Sequence, residues 1–180
     1  MYQGHFPPLG HLEVVQPPPI RFSDQQGRVI DLRVYGDGPV DEEYEAVVSM
    51  YLTFDPAHRA LGIPPVEESD VRAWQDTMLS GYCVLAWHGD RVAGQAVLVE
   101  DPHGGGHELA IFLHQAYHGA GIGTRLTKAL LSYGREQGVE RVWLLVEGTN
   151  RPAVQLYRDV GFTVAGGSGP ELEMSLAMSA

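Results

Sequence analysis

From Ile20 onward, short apolar runs alternate with stretches in which apolar residues recur every third or fourth position. Residues 20–22 and 29–35 read as strands around an Asp24-Gln25-Gln26-Gly27 turn. Tyr44, Val47, Val48 and Tyr51 repeat at helical spacing behind Asp41, a suitable N-cap. Val71, Trp74 and Met78 mark a second helix, opened by Ser69 or Asp70 and closed by Gly81. Between the two, residues 54–65 hold Pro56, Gly62, Pro64 and Pro65 and predict a loop. Residues 82–87 and 91–100 flank His88-Gly89-Asp90, a hairpin signal.

The second half is more sharply punctuated. Residues 108–113 read as a strand, and Ile122, Leu126, Leu130 and Tyr133 form a helical stripe stopped by Gly138. Residues 141–147 are apolar enough for a buried strand. Asn150 caps a last helix with Pro152 in its first turn; Ala153, Leu156, Tyr157 and Val160 share one face, and Gly161 ends it. Residues 162–164 and 171–176 close the chain as strands. Setting residues 20–22 aside, the order is strand, two helices, three strands, helix, strand, helix, two strands. It predicts a mixed α/β sheet, not a regular βα alternation.

Residues 1–19 break this regularity. They contain Pro7, Pro8 and Pro17-Pro18-Pro19 and read as an extended, proline-rich arm that packs elsewhere, which permits a homodimer. Residues 20–180 show no repeat or composition break and are expected to form one domain. At 180 residues and 44% hydrophobic, the chain can bury one good core. No apolar run approaches the roughly 20 residues that cross a bilayer, and no basic stretch leads into an apolar one as in a secretory signal. The expectation is a cytoplasmic protein without a membrane partner. Cys83 stands alone, which excludes an internal disulfide framework and a multi-cysteine zinc site. A net charge of −11 argues against nucleic acid as a partner. It favours a cationic acceptor such as an amine, or does no more than maintain solubility.

The candidate chemistry sits in His118-Gly119-Ala120-Gly121-Ile122-Gly123-Thr124, after a strand and at the start of a helix. Free N–H groups and the helix dipole make such a position an anion site, and glycines admit close backbone approach. A pyrophosphate suits it. A Walker P-loop fails because Gly123 is followed by Thr124 with no lysine. A dinucleotide fingerprint is favoured by Glu147 at the end of the next strand. It lacks its third glycine, since Leu126 or Thr124 stands there, and residues 115–118 separate strand from glycines.

Glu108-Leu109-Ala110-Ile111-Phe112-Leu113, the glycine turn from Tyr117 to Gly123, the Asn150 to Tyr157 helix and Gly161-Phe162 occur in one order. Together they resemble the signature of the GNAT superfamily of N-acetyltransferases, over residues 29–176 and most closely over 108–162. The resemblance implies a mostly antiparallel central sheet with a splayed strand pair, flanked by helices. It implies acetyl-CoA as co-substrate, its pyrophosphate held by backbone amides of His118, Gly119, Ala120, Gly121, Ile122, Gly123 and Thr124. Gly121 and Gly123 match the family's glycines, whereas His118 replaces the usual Gln or Arg. A bulge near Phe112 and Leu113 would splay this strand from the one containing Leu145, and the Leu113 N–H would polarise the thioester carbonyl. Asn150 would contact the coenzyme, and Tyr157 would protonate the departing thiolate.

An amine of pKa about 10.4 is neutral in only about one molecule in 2,500 at pH 7, so the site must take up a proton. Glu108 is the first choice of general base, through water, and Glu147 the second. His103, His107, His114 and His118 form two pairs spaced four apart, but on loop and strand that spacing does not face one way, so no metal is expected. The acceptor, a small-molecule amine or a peptide, should be received by residues 54–65, the first two helices and the loop at 166–170. Asp55, His58 and Arg59 are placed to meet it. Two function classes remain: an N-acetyltransferase, and a non-catalytic acyl-CoA-binding or sensing domain.

Overall fold

The computed structural model describes residues 16–58 and 63–178. Its strands are β1 (Ile20–Ser23), β2 (Val29–Val34), β3 (Tyr82–His88), β4 (Arg91–Glu100), β5 (His107–Leu113), β6 (Arg141–Glu147), β7 (Thr163–Ser168) and β8 (Glu171–Ala177). The helices are α1 (Val40–Leu52), α2 (Glu68–Met78), α3 (Ile122–Glu136) and α4 (Arg151–Val160). The strands form one sheet in the order β1-β2-β3-β4-β5-β6-β8-β7, and every neighbouring pair is antiparallel except β5 and β6. The mixed, mostly antiparallel α/β architecture is as anticipated. Of the proline-rich arm over 1–19, only residues 16–19 lie among those described.

Two apolar layers cover the sheet. α3 and α4 pack on one face, where Ile122, Leu126, Leu130, Tyr157 and Val160 meet Leu109, Leu144 and Met174. α1 and α2 cover the opposite face, where Val47, Tyr51, Val71 and Met78 meet Leu85 and Val97. Strand alternation divides β5 between the layers: Leu109, Ile111 and Leu113 face α3, while Ala110 and Phe112 face α1 and α2. Glu108 shares the parity of Ala110.

Two helix starts differ from the reading of their side chains. α1 is capped by Pro39, not Asp41; the Glu43 carboxylate reaches back to accept from the N–H groups of Gly36 and Gly38. α2 begins behind Glu67, without a side-chain cap, and carries Glu68 and Asp70 in its first turn. Carboxylates there complement the positive end of the helix dipole and stand in for the missing cap. Gly81 lies beyond the C-cap Leu79, where a Cβ would strike the Leu98 carbonyl at 2.2 Å, so it serves close approach to β4.

The feature that positions the site is the parallel pair. β5 and β6 are joined only at His107–Val142 and Glu108–Trp143, after which they diverge. No bulge in β5 produces this: its register with β4 is unbroken from Glu100–His107 to Gly94–Leu113. The expected bulge near Phe112 and Leu113 is therefore absent; the extra residue is Ala93 in β4, skipped between the pairs Ala86–Gly94 and Trp87–Val92. β6 is held over its full length by β8, β5 by β4, and the two firmly paired blocks part between them.

Candidate active site

The diverging strands open a cleft of about 960 Å³. Its phase is set by the His114 N–H, which donates to the Ala93 carbonyl at 2.9 Å. Antiparallel alternation then turns the N–H and C=O of Ile111 and Leu113 away from β4, into the gap. Their β6 partners are missing, and a backbone group so placed needs another partner. One is already supplied: the imidazole Nε2 of His118 lies 2.7 Å from the Leu113 carbonyl. The His118 ring also meets that of His58 edge-on at 4.9 Å. Its side chain is thus committed to the strand and to His58, and its backbone N–H donates to the Gln115 carbonyl at 3.4 Å, so the amides available to an anion begin at Gly119.

The glycines of the turn differ in their reasons. Gly119 (φ 71°) has nothing within 4 Å of where a Cβ would sit. Gly121, the N-cap of α3, has φ 82° and lies against the Gln25 side chain. Gly123 is ordinary helix, and a Cβ there would meet Leu156 of α4 at 3.2 Å. The first two serve a left-handed backbone, with open space beside Gly119, and the third serves close helix packing. Gly121, Ile122, Gly123 and Thr124 all line the cleft, and N–H groups at a helix start have no partner within the helix.

On the wall formed by α4, Asn150 caps the helix, its Oδ1 accepting from the Ala153 N–H at 3.4 Å. Tyr157 is 9% exposed, and its hydroxyl has no hydrogen-bond partner among the described residues. Burial pushes its pKa up to about 12, so the phenol holds its proton throughout the ordinary pH range. Both residues line the cleft.

The opposite side carries the carboxylates. Glu108 stands at the last rung joining β5 to β6, half-buried and without an ion pair among the described residues. Burial, helped by the nearby charge of Asp101, pushes its pKa above the ordinary carboxylate value. Glu147 sits at the far end of β6, beyond the exposed Leu145. Phe54, His58 and Ile63 complete this side, and the described lining residues include neither Lys nor Arg.

Leu113, the turn from His118 to Thr124 apart from the buried Ala120, Asn150, Tyr157, Glu108 and Glu147 are thus brought to one cleft. Other expectations are not met. α1 and α2 do not line it, because their apolar faces are spent on β3 and β4. Nor does the loop at 166–170, whose Pro170 carbonyl instead accepts from Gly148 N–H. The Asp55 carboxylate accepts from Ala57 N–H, and Arg59 lies outside the described residues. Of the histidines, His107 lies against Tyr82, His114 against Thr53 and Phe54, and His118 against His58.

Residues missed in the sequence lie in the β1–β2 turn. Gln25 N–H donates to the Ala120 carbonyl, and Arg28 donates to that of Ala116, 88 positions away. No local pattern announces such a contact.

Comparison with known proteins follows this geometry. The family model of the acetyltransferase (GNAT) family matches residues 44–162. Mycothiol acetyltransferase of Amycolatopsis mediterranei is 27% identical over 141 residues, spanning 74% of this chain and 46% of that protein. The chain spans about half the length of the curated relatives it matches. The GNAT domain of PAT from S. lividans has a TM-score of 0.73 at 17% identity, covering 88% of this chain and 96% of that one. A Salmonella typhimurium protein solved with its cofactor acetyl-CoA gives 0.64 at 19% identity, over 83% and 94% of the two chains. At such identities the structural likeness establishes the fold.

Proposed function

The chain belongs to the GNAT acetyltransferase family, and from that premise we propose that it moves an acetyl group from acetyl-CoA to an amine acceptor by direct attack on the thioester. The observation that carries this reading is the gap between β5 and β6, open under the N–H groups that start α3 and walled by Tyr157.

In this reading the pyrophosphate rests on the N–H groups from Gly119 to Thr124, and the amide of Asn150 that does not cap α4 faces the coenzyme. The pantetheine arm lies along the gap and takes the hydrogen bonds that β6 does not make with Ile111. The Leu113 N–H holds the thioester oxygen as negative charge develops on it. Glu108, through water, takes the proton of the incoming ammonium; its raised pKa suits a base working nearer neutrality. The C–N bond forms, the C–S bond breaks, and the thiolate accepts a hydrogen bond and then a proton from Tyr157. A phenol at about 12 is a weak acid toward a thiolate whose conjugate thiol has a free pKa of about 8.5. The same dry wall raises the thiol's pKa as well, which narrows the mismatch.

Residues 20–180 form the catalytic domain in this proposal. A cytoplasmic location goes with it, supported by the lone, buried Cys83. The decisive experiment follows free-thiol release from acetyl-CoA across pools of amines, amino acids and peptides. Deacetylated mycothiol is included, because the relatives above are named for mycothiol. Release that depends on one pool supports transfer. Tight acetyl-CoA binding with no release from any pool would identify a sensing domain instead.

A further inference from the structure

We propose that the β1–β2 hairpin is a positioning element for the anion-binding turn, with Arg28 as its clamp, so that coenzyme affinity depends on residues outside the cleft. The proposal rests on the coenzyme reading above. The hairpin precedes residue 44, where the family match begins, and neither Gln25 nor Arg28 lines the cleft.

The hairpin grips the turn on both sides of Gly119. On the near side, Arg28 Nη1 donates to the Ala116 carbonyl at 2.9 Å, and the guanidinium lies 4.5 Å over the Tyr117 ring. On the far side, the Gln25 N–H donates to the Ala120 carbonyl at 3.1 Å. The Gln25 carboxamide fills the space beside Gly121, 3.3 Å from where a Cβ would stand. Tyr117 is itself fastened, its hydroxyl 2.7 Å from His88 Nδ1.

The clamp is built rather than incidental. Asp24, whose side chain is fully buried, pairs with Arg28 Nε at 2.7 Å and accepts the N–H groups of Gln26 and Arg28. Burial works against its charge, but these bonds outweigh it and hold the carboxyl below its ordinary pKa. Gly119 and Gly121 both occupy left-handed φ, and glycine loses more freedom on ordering than any other residue. A turn with two such joints presents converging N–H groups only if something holds it. Whatever fixes it beforehand spares the ligand that ordering cost. Because the described cleft lining offers no Lys or Arg to an anionic coenzyme, affinity depends strongly on this backbone geometry.

The test measures coenzyme A affinity by calorimetry, and acetyl transfer at saturating acetyl-CoA, for the wild type and an Asp24→Asn/Arg28→Gln double variant. The double change avoids leaving one buried charge alone. Dissociation constant and KM are expected to rise about tenfold while the saturated rate stays within about twofold, a coupling of ordinary size. Arg28→Lys should recover part of the loss. Coupling is reciprocal, so coenzyme A must also slow hydrogen exchange at the Gln25 N–H in the wild type. That arm decides the matter if the variant does not fold. Unchanged affinity in a folded variant, or unchanged Gln25 exchange with coenzyme A bound, would overturn the proposal and leave the enzyme reading standing. Failure of the wild type to bind coenzyme A would remove the reading itself, and the proposal with it.

Discussion

The two halves of the sheet treat buried polar groups in opposite ways. Under α1 and α2, Tyr51 OH donates to Gln95 Oε1 at 2.6 Å, and Gln75 and Gln95 exchange bonds at 3.1 and 2.8 Å. Gln75 and Gln95 are wholly inaccessible and Tyr51 nearly so, and every polar end has a partner. Around β6 and α4 the accounts stay open. Tyr157 OH has no partner among the described residues, and neither do the buried Trp143 Nε1 and Ser175 Oγ on one rung of β6 and β8; in the β1–β2 turn the buried Arg28 Nη2 is also unpaired. A closed network specifies packing. Unpaired buried groups cost stability, and of these only Tyr157 lines the cleft, where a ligand can complete it. The comparison separates the closed network under α1 and α2 from the cleft wall at Tyr157.

Four substitutions or titrations test that separation. The largest effect should come from Glu108→Gln, which removes the proposed base: turnover at pH 7 falls about a hundredfold, with the melting temperature unchanged or higher. A loss of under threefold would shift the base to Glu147. Next, Gln95→Leu in the closed network should destabilise the fold by about 2 kcal/mol in urea unfolding, since Tyr51 and Gln75 are both left unsatisfied. Turnover per folded molecule should stay near wild type; a large kinetic defect would erase the distinction between the halves. Tyr157→Phe should lower the rate at least about tenfold, roughly 1.4 kcal/mol of barrier, at no cost to stability because its hydroxyl has no partner among the described residues. An unchanged rate would remove Tyr157 from the chemistry.

The smallest effect is in pH. Glu108 has its folded pKa raised by burial. Its contribution to stability is therefore fully present below the unfolded carboxylate pKa and is lost as pH rises through the folded one. Turnover should climb across that same window as the base ionises. Opposite trends of urea midpoint and rate in the wild type, both flattened in Glu108→Gln, are the expected result. Parallel trends would assign the titration to another group.

Much of the fold is legible in the sequence because side-chain periodicity is local. The stripe of Ile122, Leu126 and Leu130, the Asn150 cap and the run over 141–147 each declare an element on their own. The starts of α1 and α2 were less so. Their dipoles are served by acids within the first turn and by Glu43 reaching back, arrangements that a search for capping side chains passes over. The glycine turn was legible at the start of α3, but not the separate reasons for its three glycines, which depend on Gln25 and Leu156 elsewhere in the chain.

By itself, then, the order of residues determined which segments are strand or helix, the place of the glycine turn, and the family through Glu108 to Phe162. Tertiary structure alone decided where the sheet opens, since a gap between β5 and β6 arises from how strongly each is paired on its other edge. It alone turned the His118 side chain onto the Leu113 carbonyl, withdrew α1 and α2 from the cleft, and set Arg28 behind the glycine turn. The physical reason is range: hydrogen bonding along a strand or helix is written in neighbours, whereas a cleft is the space left when distant segments compete for the same partners.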